Sequence, residues 1–349
     1  MLAWFREHQR DLPWRRSRDP YRIWVAEVML QQTRIAAVMP YYHRFLARFP
    51  SLESLARASE PEVLKLWSGL GYYRRARNLH RAAKIIVARH QGQFPRALDS
   101  ALELPGIGVY TAAAVLSIAY DIPFSVLDGN VARVLARLKA IRGDLRAPKN
   151  WRALTAAAQV LLATQAPGDW NQSLMELGEV ICTPQSPRCA ECPVTRYCRA
   201  YAQGLTDEIP SRRRKRASVH MKIAAAILRD PRGRTLLVQD PGAHDTVLFS
   251  RMWQFPAVEV ARQAKTELAA HLRNTLSITN ISLEALPAAR HGVTFRNITL
   301  LPFLASLSEL PKLPRTRILP LKDLANLPIS SATRKIAAAL AAVSVLPAL

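Results

Sequence analysis

The sequence predicts a largely helical domain followed by a smaller α+β domain. Over residues 1–205, and clearly from Asp11 onward, apolar residues recur at three- and four-residue steps, which is the spacing of amphipathic helices. Beyond residue 218, short runs rich in β-branched and apolar residues replace that period. The length of 349 residues is also that of about two domains.

The helical domain consists of segments that keep the helical period between short breaks carrying Pro or Gly. Several segments begin at Pro, which the first turn of a helix tolerates. This part of the chain is therefore expected to be all-α. Helices are predicted over residues 20–35, 40–48, 61–66, 74–90, 110–120, 131–141, 151–163 and 173–181.

Residues 206–218 are predicted to be a basic linker, because the run Arg212-Arg213-Arg214-Lys215-Arg216 is too highly charged to pack. The domain that follows, residues 219–349, contains one predicted helix over 261–276. The turn Asp230-Pro231-Arg232-Gly233 joins its first two strands. The predicted strands cover 221–228, 235–239 and 293–305. Residues 306–349 carry no functional signal.

The charge of the chain points to a polyanionic partner. It has 49 Lys and Arg against 26 Asp and Glu, a formal net charge of +23 spread over both domains. Nucleic acid or an anionic membrane would fit. No window approaches 18 uninterrupted apolar residues, and the chain reaches Arg6 and Glu7 before a signal-peptide core could form. Nucleic acid is therefore favoured, and a cytoplasmic location, nucleoid-associated in a bacterium, is expected.

All four cysteines lie in one short segment, with the spacing Cys-x6-Cys-x2-Cys-x5-Cys. Four thiolates in a compact loop can ligate a metal ion or a cluster. Free core thiols and two local disulfides are the alternatives, but such clustering is unusual for either. The spacing does not separate zinc from iron and sulfur. The predicted ligands are Cys182, Cys189, Cys192 and Cys198.

A second motif, Leu104-Pro105-Gly106-Ile107-Gly108-Val109-Tyr110-Thr111, precedes an apolar helix. Gly106 and Gly108 allow a tight turn whose backbone N–H groups, at the start of that helix, can hold a phosphate. This is the form of a helix-hairpin-helix DNA-binding element over residues 104–115. An ordinary glycine-rich turn between two helices fits the motif equally well.

Two carboxylates, Glu27 and Asp128, form the third signal. Glu27 lies on a predicted helix capped by Asp19, with Ile23 and Trp24 on the same apolar face, where burial would raise its pKa. Asp128 directly precedes a helix, where unpaired N–H groups favour the ionised form. Cleavage of a glycosidic bond requires such an acid and such an anion. Alternatively, Asp128 is only an N-cap and Glu27 only a surface ion-pair partner.

Six motifs, taken in order, resemble the adenine DNA glycosylases of the MutY family. The resemblance is dense over residues 1 to about 205 and weaker beyond. It implies a helix-hairpin-helix glycosylase with a [4Fe-4S] cluster, which in base excision repair removes adenine mispaired with 8-oxoguanine or guanine from duplex DNA. The motifs are Leu12-Pro13-Trp14-Arg15, Glu27-Val28-Met29-Leu30-Gln31-Gln32-Thr33, Gly69-Leu70-Gly71-Tyr72-Tyr73-Arg74-Arg75-Ala76-Arg77-Asn78-Leu79, the 104–111 hairpin, Asp128-Gly129-Asn130 and the four-cysteine loop.

The resemblance also implies roles for individual residues. Glu27 would protonate adenine and Asp128 would stabilise the sugar cation, by charge or by a covalent bond, with Asn130 and Tyr110 in support. Gly106 and Gly108 would contact the DNA backbone. The pocket for the flipped adenine would consist of Leu12, Trp14, Arg15, Ile35 and Gln172. The wedge that fills the vacated stack, and so offsets the cost of unstacking, would consist of Gln32, Leu70 and Tyr72.

Tyr110 stands where the related endonuclease III-like lyases have a lysine whose amine attacks the sugar. A phenol cannot form a Schiff base with that carbon. The resemblance therefore implies a monofunctional glycosylase that removes the base without efficient strand cleavage. The protein is expected to act as a monomer.

The second domain resembles the Nudix-related recognition domain of the same family, chiefly through Arg251-Met252-Trp253-Gln254-Phe255-Pro256. The stretch after this motif offers only Glu259 and Glu267, too few carboxylates for the Mg²⁺ site of a Nudix hydrolase. The family's Phe-Ser-His loop, which reads 8-oxoguanine, aligns with Phe295-Arg296-Asn297, so two of its three residues differ. Recognition of the opposite base is expected to be altered, unless these residues belong to an ordinary strand.

Two other functions stay open at the level of sequence. A pyrimidine glycosylase with lyase activity could use the same scaffold, although Tyr110 and the second domain argue against it. A non-catalytic basic DNA-binding protein could use the hairpin and the cluster structurally, although the presence of both Glu27 and Asp128 argues against that. The chain opens inside what would be the first helix of the family, so an upstream segment is expected to be missing.

Overall fold

The structure is a computed structural model that describes residues 1–211, 217–239, 252–293 and 295–343. The chain forms two compact units, Met1–Arg57 with Asn78–Arg214 and Ala58–Arg77 with Lys215–Leu349. Ala58–Arg77, which the helical period places in the first domain, thus groups with the second unit, because its polar groups bond to residues near position 330. The basic run of the predicted linker, Arg212–Arg216, lies outside the described residues.

The regular structure described in the first unit is helical. Helix α5 (Glu60–Trp67) belongs to the second unit, and α6 (Tyr73–Arg89) crosses from the second unit into the first. The other helices of the first unit are α1 (Leu2–His8), α2 (Pro20–Leu30), α3 (Ile35–Arg48), α4 (Leu52–Arg57), α7 (Leu98–Leu102), α8 (Val109–Tyr120), α9 (Gly129–Lys139), α10 (Pro148–Val160), α11 (Pro167–Val180) and α12 (Arg199–Ala202).

The helix predicted over residues 20–35 is broken in two. Helix α2 ends at Leu30, because the backbone leaves the helical region at Gln31 and Gln32 has a φ of 57°. Helix α3 includes Pro40, where the sequence predicts a helix start. There the proline costs chiefly the hydrogen bond that its missing N–H would make. The helical period does not predict the short helices α1, α4, α7 and α12, because each has too few residues to show a clear period.

Helix α8 forms the centre of the first unit's core. Every residue from Thr111 to Ile118 is buried, and residues 112–114 are alanines, so neighbouring helices can approach closely. Helix α2 packs against α8 along its own buried face. Helix α11 contacts α8 at Gly168, where an added Cβ would lie 2.7 Å from the Ser117 carbonyl oxygen. The small residues of this core thereby bring α2, α8 and α11 together.

The second unit contains a mixed β-sheet. Its strands are β1 (Val219–Arg229), β2 (Arg234–Gln239), β3 (Trp253–Gln254), β4 (Ala257–Glu259), β5 (Glu284–Ala285), β6 (Ala289–Val293), β7 (Arg296–Ser306) and β8 (Thr316–Pro320). Among the described residues the strand order is β3-β2-β1-β7-β5, while β4, β6 and β8 pair with β1, β7 and β2 respectively. β1 and β7 are parallel, with Val219 beside Arg296, and the other pairs are antiparallel.

Two helices cover the two faces of this sheet. Ala225 and Ile227 point towards α14 (Ser331–Val343), and the alternate residue Leu228 points towards α13 (Ala264–Leu276). The strand predicted over residues 293–305 corresponds to β7, which begins only at Arg296, because Val293 is the last residue of the antiparallel strand β6. Across both units, none of the described helices combines the length and apolarity needed to cross a bilayer.

Candidate active site

A cleft of about 1090 Å³ lies in the first unit, lined by α2, α8, α11 and the start of α9. Of the residues predicted for catalysis, substrate binding and the DNA backbone, those outside the cleft are Leu70 and Tyr72, which belong to the second unit, and Gly106 and Gly108 of the hairpin. The structure brings together in the cleft the other predicted residues, namely Leu12, Trp14, Arg15, Glu27, Gln32, Ile35, Tyr110, Asp128, Asn130 and Gln172.

Glu27 is buried in the wall of this cleft. Asp19 caps α2 by accepting the Tyr21 N–H, and the helix that follows buries Glu27 to 6% exposure. Burial raises the pKa of Glu27 to about 7, against the opposing effects of a 2.9 Å hydrogen bond from the Tyr110 hydroxyl and the charge of Arg15. The surface ion-pair alternative therefore does not hold, and Glu27 can carry a proton near neutral pH.

Asp128 is the N-cap of α9, and its Oδ1 accepts the Val131 N–H at 2.7 Å. The sequence analysis expected this position to favour the ionised form. In the structure, burial raises the pKa of Asp128, and the hydrogen bonds from the Val131 and Asn130 N–H groups and the charge of Arg133 only reduce that rise. The expected direction was wrong because the cleft removes water from Asp128 as well as from Glu27.

Asn130 occupies the first turn of α9 and is tied to the end of α11. Its amide nitrogen donates to Glu179 Oε1 at 2.9 Å, and its amide oxygen accepts from Arg133 at 2.9 Å. Arg133 also donates to the carbonyl oxygens of Gly178 and Cys182, each at 2.8 Å. Asn130 therefore connects the Asp128 cap to a rigid polar network, in keeping with a supporting role.

Glu176 is a site residue that the sequence analysis missed. It accepts from Arg10 at 2.7 and 2.9 Å and from Arg15 at 2.7 Å, and its side chain is 1% exposed. Burial by itself would raise its pKa, but these hydrogen bonds outweigh that effect and hold the pKa at about 2. Glu176 thus stays ionised and orients both arginines. It lies four residues after Gln172 on α11, a spacing that would have identified it.

The two glycines of the hairpin between α7 and α8 have different structural roles. Gly106 has a φ of 81°, and an added Cβ there would lie 2.6 Å from the Asn78 Cβ. Gly108 is the N-cap of α8, and an added Cβ there would meet nothing within 4 Å. Gly106 is therefore required by packing and backbone conformation, while Gly108 leaves the first N–H groups of α8 open to a ligand such as phosphate.

The four cysteines are unpaired by disulfides and lie in a loop fixed by buried arginine. Arg137 donates to Cys182 Sγ at 3.3 Å, to the Thr183 carbonyl oxygen at 2.7 Å and to the Ile209 carbonyl oxygen at 2.7 Å. Burial, and to a smaller extent the charges of the other three thiols, raise the pKa of Cys189.

Four soft thiols in one short loop beside a buried cation fit a [4Fe-4S] cluster, which carries net negative charge with its thiolates. Within the described ranges, no three His, Cys, Asp or Glu side chains converge as the ligands of a single ion do. The ligands of a four-iron cluster bind separate corners and need not converge in that way.

The predicted loop of the second unit, Phe295-Arg296-Asn297, lies at the turn into β7. Arg296 and Asn297 pair with Val293 and Gly292 of β6, and the Arg296 guanidinium lies 5.2 Å from the centroid of the Phe295 ring. Asn297 is exposed. Arg296 and Asn297 thus belong to strand β7, directly after Phe295, and their role in reading the opposite base stays a prediction.

Glu267, one of the two carboxylates considered for metal binding, is engaged elsewhere. Its two oxygens accept the N–H groups of Ala261, Arg262 and Gln263, and the bonds from Arg262 and Gln263 in particular lower its pKa. Glu267 therefore closes the start of α13 rather than facing a ligand. The residue Arg251 of the predicted motif lies outside the described residues.

Comparison with known proteins places this architecture in a class. A family profile described as HhH-GPD superfamily base excision DNA repair protein matches residues 25–158, and the iron-sulfur binding domain of endonuclease III matches residues 182–198. The solved structure of a thermostable thymine-DNA glycosylase aligns with a TM-score of 0.53 and 30% identity, over 58% of this chain and 93% of that one. A non-covalent endonuclease III–DNA complex shares the fold, with a TM-score of 0.50 and 23% identity over 58% of this chain and 92% of that one. The chain is thus a helix-hairpin-helix DNA glycosylase of base excision repair.

The relatives narrow this class to one family. The mouse protein named adenine DNA glycosylase is 34% identical, over 96% of this chain and 76% of the mouse chain. The proteins of the same name from human and Arabidopsis thaliana are 46% and 37% identical, over 57% and 80% of this chain and 38% and 49% of theirs. The chain belongs to the adenine DNA glycosylase family, whose members hydrolyse an N-glycosidic bond, and its cysteine loop holds a [4Fe-4S] cluster.

The cysteine loop leads to a first prediction. The purified protein should contain about four irons and absorb broadly near about 400 nm, and Cys198→Ser should lose most of both, because one corner of the cluster loses its thiolate. Gln185→Ala, in the same loop but without a thiol, is the control and should keep the iron. Stoichiometric zinc in protein purified anaerobically with iron supplied would contradict this prediction.

Proposed function

We propose that this enzyme excises adenine paired with 8-oxoguanine or guanine in duplex DNA, with Glu27 as the general acid and Asp128 as the anion beside the sugar. One observation carries the proposal: a buried carboxyl group, Glu27, and a partly buried one, Asp128, line one cleft, and the pKa of Glu27 lies at about 7. The family supplies the class of reaction, and the cleft supplies the groups that perform it.

The leaving group of this reaction is adenine, which departs far more easily when it is protonated. Glu27 would donate a proton to the base as the bond between the sugar carbon and the base nitrogen breaks. The bond electrons leave with the base, and the sugar becomes an oxocarbenium-like cation. Because burial raises the pKa of Glu27 to about 7, its carboxyl group can carry that proton at neutral pH.

Asp128 would stabilise the sugar cation through its negative charge. The Val131 N–H at 2.7 Å fixes one oxygen, and the charge of Arg133 offsets part of the cost of burial. As charge develops on the sugar, the interaction with Asp128 strengthens, so it lowers the barrier more than it stabilises the bound substrate. A water molecule then adds to the cation and completes the hydrolysis.

The extruded adenine would lie against Trp14 and Arg15. Trp14 is buried and packs edge-on against Tyr42 at 5.2 Å between ring centroids, so its ring orientation is fixed. Arg15 is held by Glu176 and lies 5.3 Å from the centroid of the Phe5 ring. A flat ring and an oriented guanidinium are suited to stacking on a base and donating hydrogen bonds to its edge. Leu12, Ile35 and Gln172 would complete this pocket.

The chain has 49 basic and 26 acidic residues, and this positive charge would attract DNA phosphates. The open N-terminus of α8 would contact a phosphate directly. Gly106 and Gly108 would let the backbone approach one phosphate closely. Gln32 is exposed at the rim of the cleft and would enter the stack together with Leu70 and Tyr72 of the second unit. We expect the protein to act on this duplex as a monomer.

Replacing either carboxyl group tests the assignment. Glu27→Gln and Asp128→Asn should each reduce single-turnover adenine release at least about a thousandfold, because each removes a charge or proton used only in the transition state. Binding to the duplex, which phosphate contacts dominate, should change little. For the wild type, the rate should fall as pH rises through about 7, because Glu27 then loses its proton. A near wild-type rate in either variant would refute the assignment.

The nature of Tyr110 leads to a prediction about strand cleavage. Its buried hydroxyl donates to Glu27 at 2.9 Å and offers no amine to attack the sugar carbon. The protein should therefore release adenine without nicking the strand until alkali is added, and borohydride should trap no DNA–protein adduct. Efficient nicking at neutral pH, with trapping, would instead support the lyase alternative.

Arg296 and Asn297 stand where the family's loop has Ser and His, and this difference would affect recognition of the base opposite the adenine. If these residues lie beside that base, the absence of Ser and His removes hydrogen bonds that favour 8-oxoguanine, and Arg296 adds a charge that attracts phosphate of any sequence. Arg296→Ser with Asn297→His should therefore raise the preference for adenine opposite 8-oxoguanine over adenine opposite guanine. Single-turnover rates and binding on both duplexes, at one salt concentration, measure this. An unchanged ratio would mean that other residues discriminate.

A further inference from the structure

Both ends of the loop formed by residues 68–73 are attached to the C-terminal part of the second unit. The Ser68 hydroxyl donates to the Ile329 carbonyl oxygen at 2.5 Å, and the Tyr73 hydroxyl donates to the same oxygen at 3.4 Å. The Arg334 guanidinium donates to the Ser68 hydroxyl at 2.8 Å and to the Ser68 carbonyl oxygen at 3.1 Å. Ser68 and Ile329 are only 4% and 2% exposed, so water competes little for these bonds.

The segment around Ile329 is itself fixed by Trp253, the centre of a motif that the proposed chemistry does not use. The Trp253 N–H donates to the Pro328 carbonyl oxygen at 2.9 Å, and Trp253 pairs with Ile329 in a parallel bridge. Ser330 accepts the Thr333 N–H at 3.0 Å, and the Thr333 hydroxyl donates to the Trp253 carbonyl oxygen at 3.5 Å. A continuous set of hydrogen bonds therefore runs from the sheet through this segment to Ser68.

The 68–73 loop has a backbone that needs such support. Gly69 and Gly71 have φ values of 106° and 79°, and Tyr72, which has a side chain, has a φ of 52°. A left-handed conformation is disfavoured for a residue with a Cβ. The Trp67 indole N–H donates to the Gly71 carbonyl oxygen at 3.0 Å, which holds the middle of the loop. The contacts with Ile329 and Arg334 hold its ends.

We infer that Arg334 is a positioning residue for base extrusion, because it anchors Ser68 and thereby fixes the loop that carries Leu70 and Tyr72, with Tyr72 presented to the DNA stack. The inference rests on the proposed function, in which these two side chains fill the space that the adenine leaves. Leu70 is 8% exposed and Tyr72 is 40% exposed, so the anchored loop offers the tyrosine outward and keeps the leucine against the protein. Arg334 itself touches no base.

The inference assigns the second unit two separate contributions. The segment 295–297 would read the opposite base, whereas the segment 329–334 would hold the loop that enters the stack. A loop that is free to move would lose conformational entropy each time it enters the DNA stack. Extrusion would then become less favourable while the phosphate contacts stayed intact. Loss of Arg334 should therefore affect extrusion and not general DNA binding.

The experiment compares Arg334→Ala with Lys335→Ala. Lys335 is the neighbouring basic residue on α14, and it donates to the Arg290 carbonyl oxygen rather than to the 68–73 loop. The probe is a duplex with 2-aminopurine replacing the target adenine opposite 8-oxoguanine, whose fluorescence rises on unstacking. Extrusion is measured in a Glu27→Gln background. Adenine release is measured with Glu27 intact, on the unmodified duplex. Binding is measured on a fully matched duplex.

Arg334→Ala should lower the extrusion equilibrium and the single-turnover rate at least about tenfold, because even one hydrogen bond from a charged group accounts for a change of that size. Binding to the matched duplex and the thermal midpoint should equal those of Lys335→Ala. Arg334→Lys should recover part of the loss. Ser68→Ala should lower extrusion in the same direction, and the double variant should lose less than the sum of the two single variants, because both remove the bond between Arg334 and the Ser68 hydroxyl.

Other outcomes would overturn the inference. If Arg334→Ala matches Lys335→Ala in extrusion, or if its loss follows a lower thermal midpoint or weaker binding to matched duplex, Arg334 has only a structural role. Additive losses in the double variant would also contradict it. Should Arg334→Ala fail to fold, Arg334→Lys and Ser68→Ala decide the same question. A wild-type protein that releases no adenine would overturn the proposed function and this inference with it.

Discussion

The burial of one carboxyl group, Glu27, is the constraint on which the chemistry of the first unit depends. A carboxyl group in water is ionised at neutral pH and could not act as an acid. Helix α2 excludes water on one side, and the small residues of α8 let Tyr110 approach to 2.9 Å. The single hydrogen bond from Tyr110 satisfies the buried carboxyl without cancelling the rise in its pKa. Ordinary packing of the core thus raises the pKa of Glu27, as its proposed role as a general acid requires.

Helix α9 connects this site with the cysteine loop. Asp128 caps its first turn beside the cleft, and Arg133 and Arg137 extend from later turns to Cys182. A cluster that holds the cysteine loop would therefore also hold the end of α9 at which Asp128 is presented. The same helix contacts α11 at Gly178, where an added Cβ would lie 2.9 Å from the Asn130 Cβ. Asp128, the proposed catalytic anion, and the arginines that hold the cysteine loop thus lie on one helix, so a change in the loop would reach the carboxylate through backbone geometry.

The second unit has to hold a loop whose backbone conformation is unfavourable by itself. Tyr72 and two glycines adopt left-handed conformations, and a buried hydrogen bond from Ser68 and partly buried ones from Arg334 secure the adjoining backbone. The division of the chain reflects this, because Ala58–Arg77 groups with residues far along the sequence rather than with its neighbours. Contacts between distant segments, and not chain order, decide which unit a segment joins.

The sequence alone determined the helical domain, the α+β domain, the four-cysteine loop and most of the cleft, because helical period and motif spacing are local properties. Glu27 could be predicted to be buried, since Ile23 and Trp24 lie on its face of α2. Three features depended on tertiary structure. The break at Gln32 needs a backbone conformation that many residues adopt only in context, and the raised pKa of Asp128 depends on desolvation by other helices. The anchoring of Ser68 by Arg334 joins residues 266 positions apart, a separation at which no local pattern carries information.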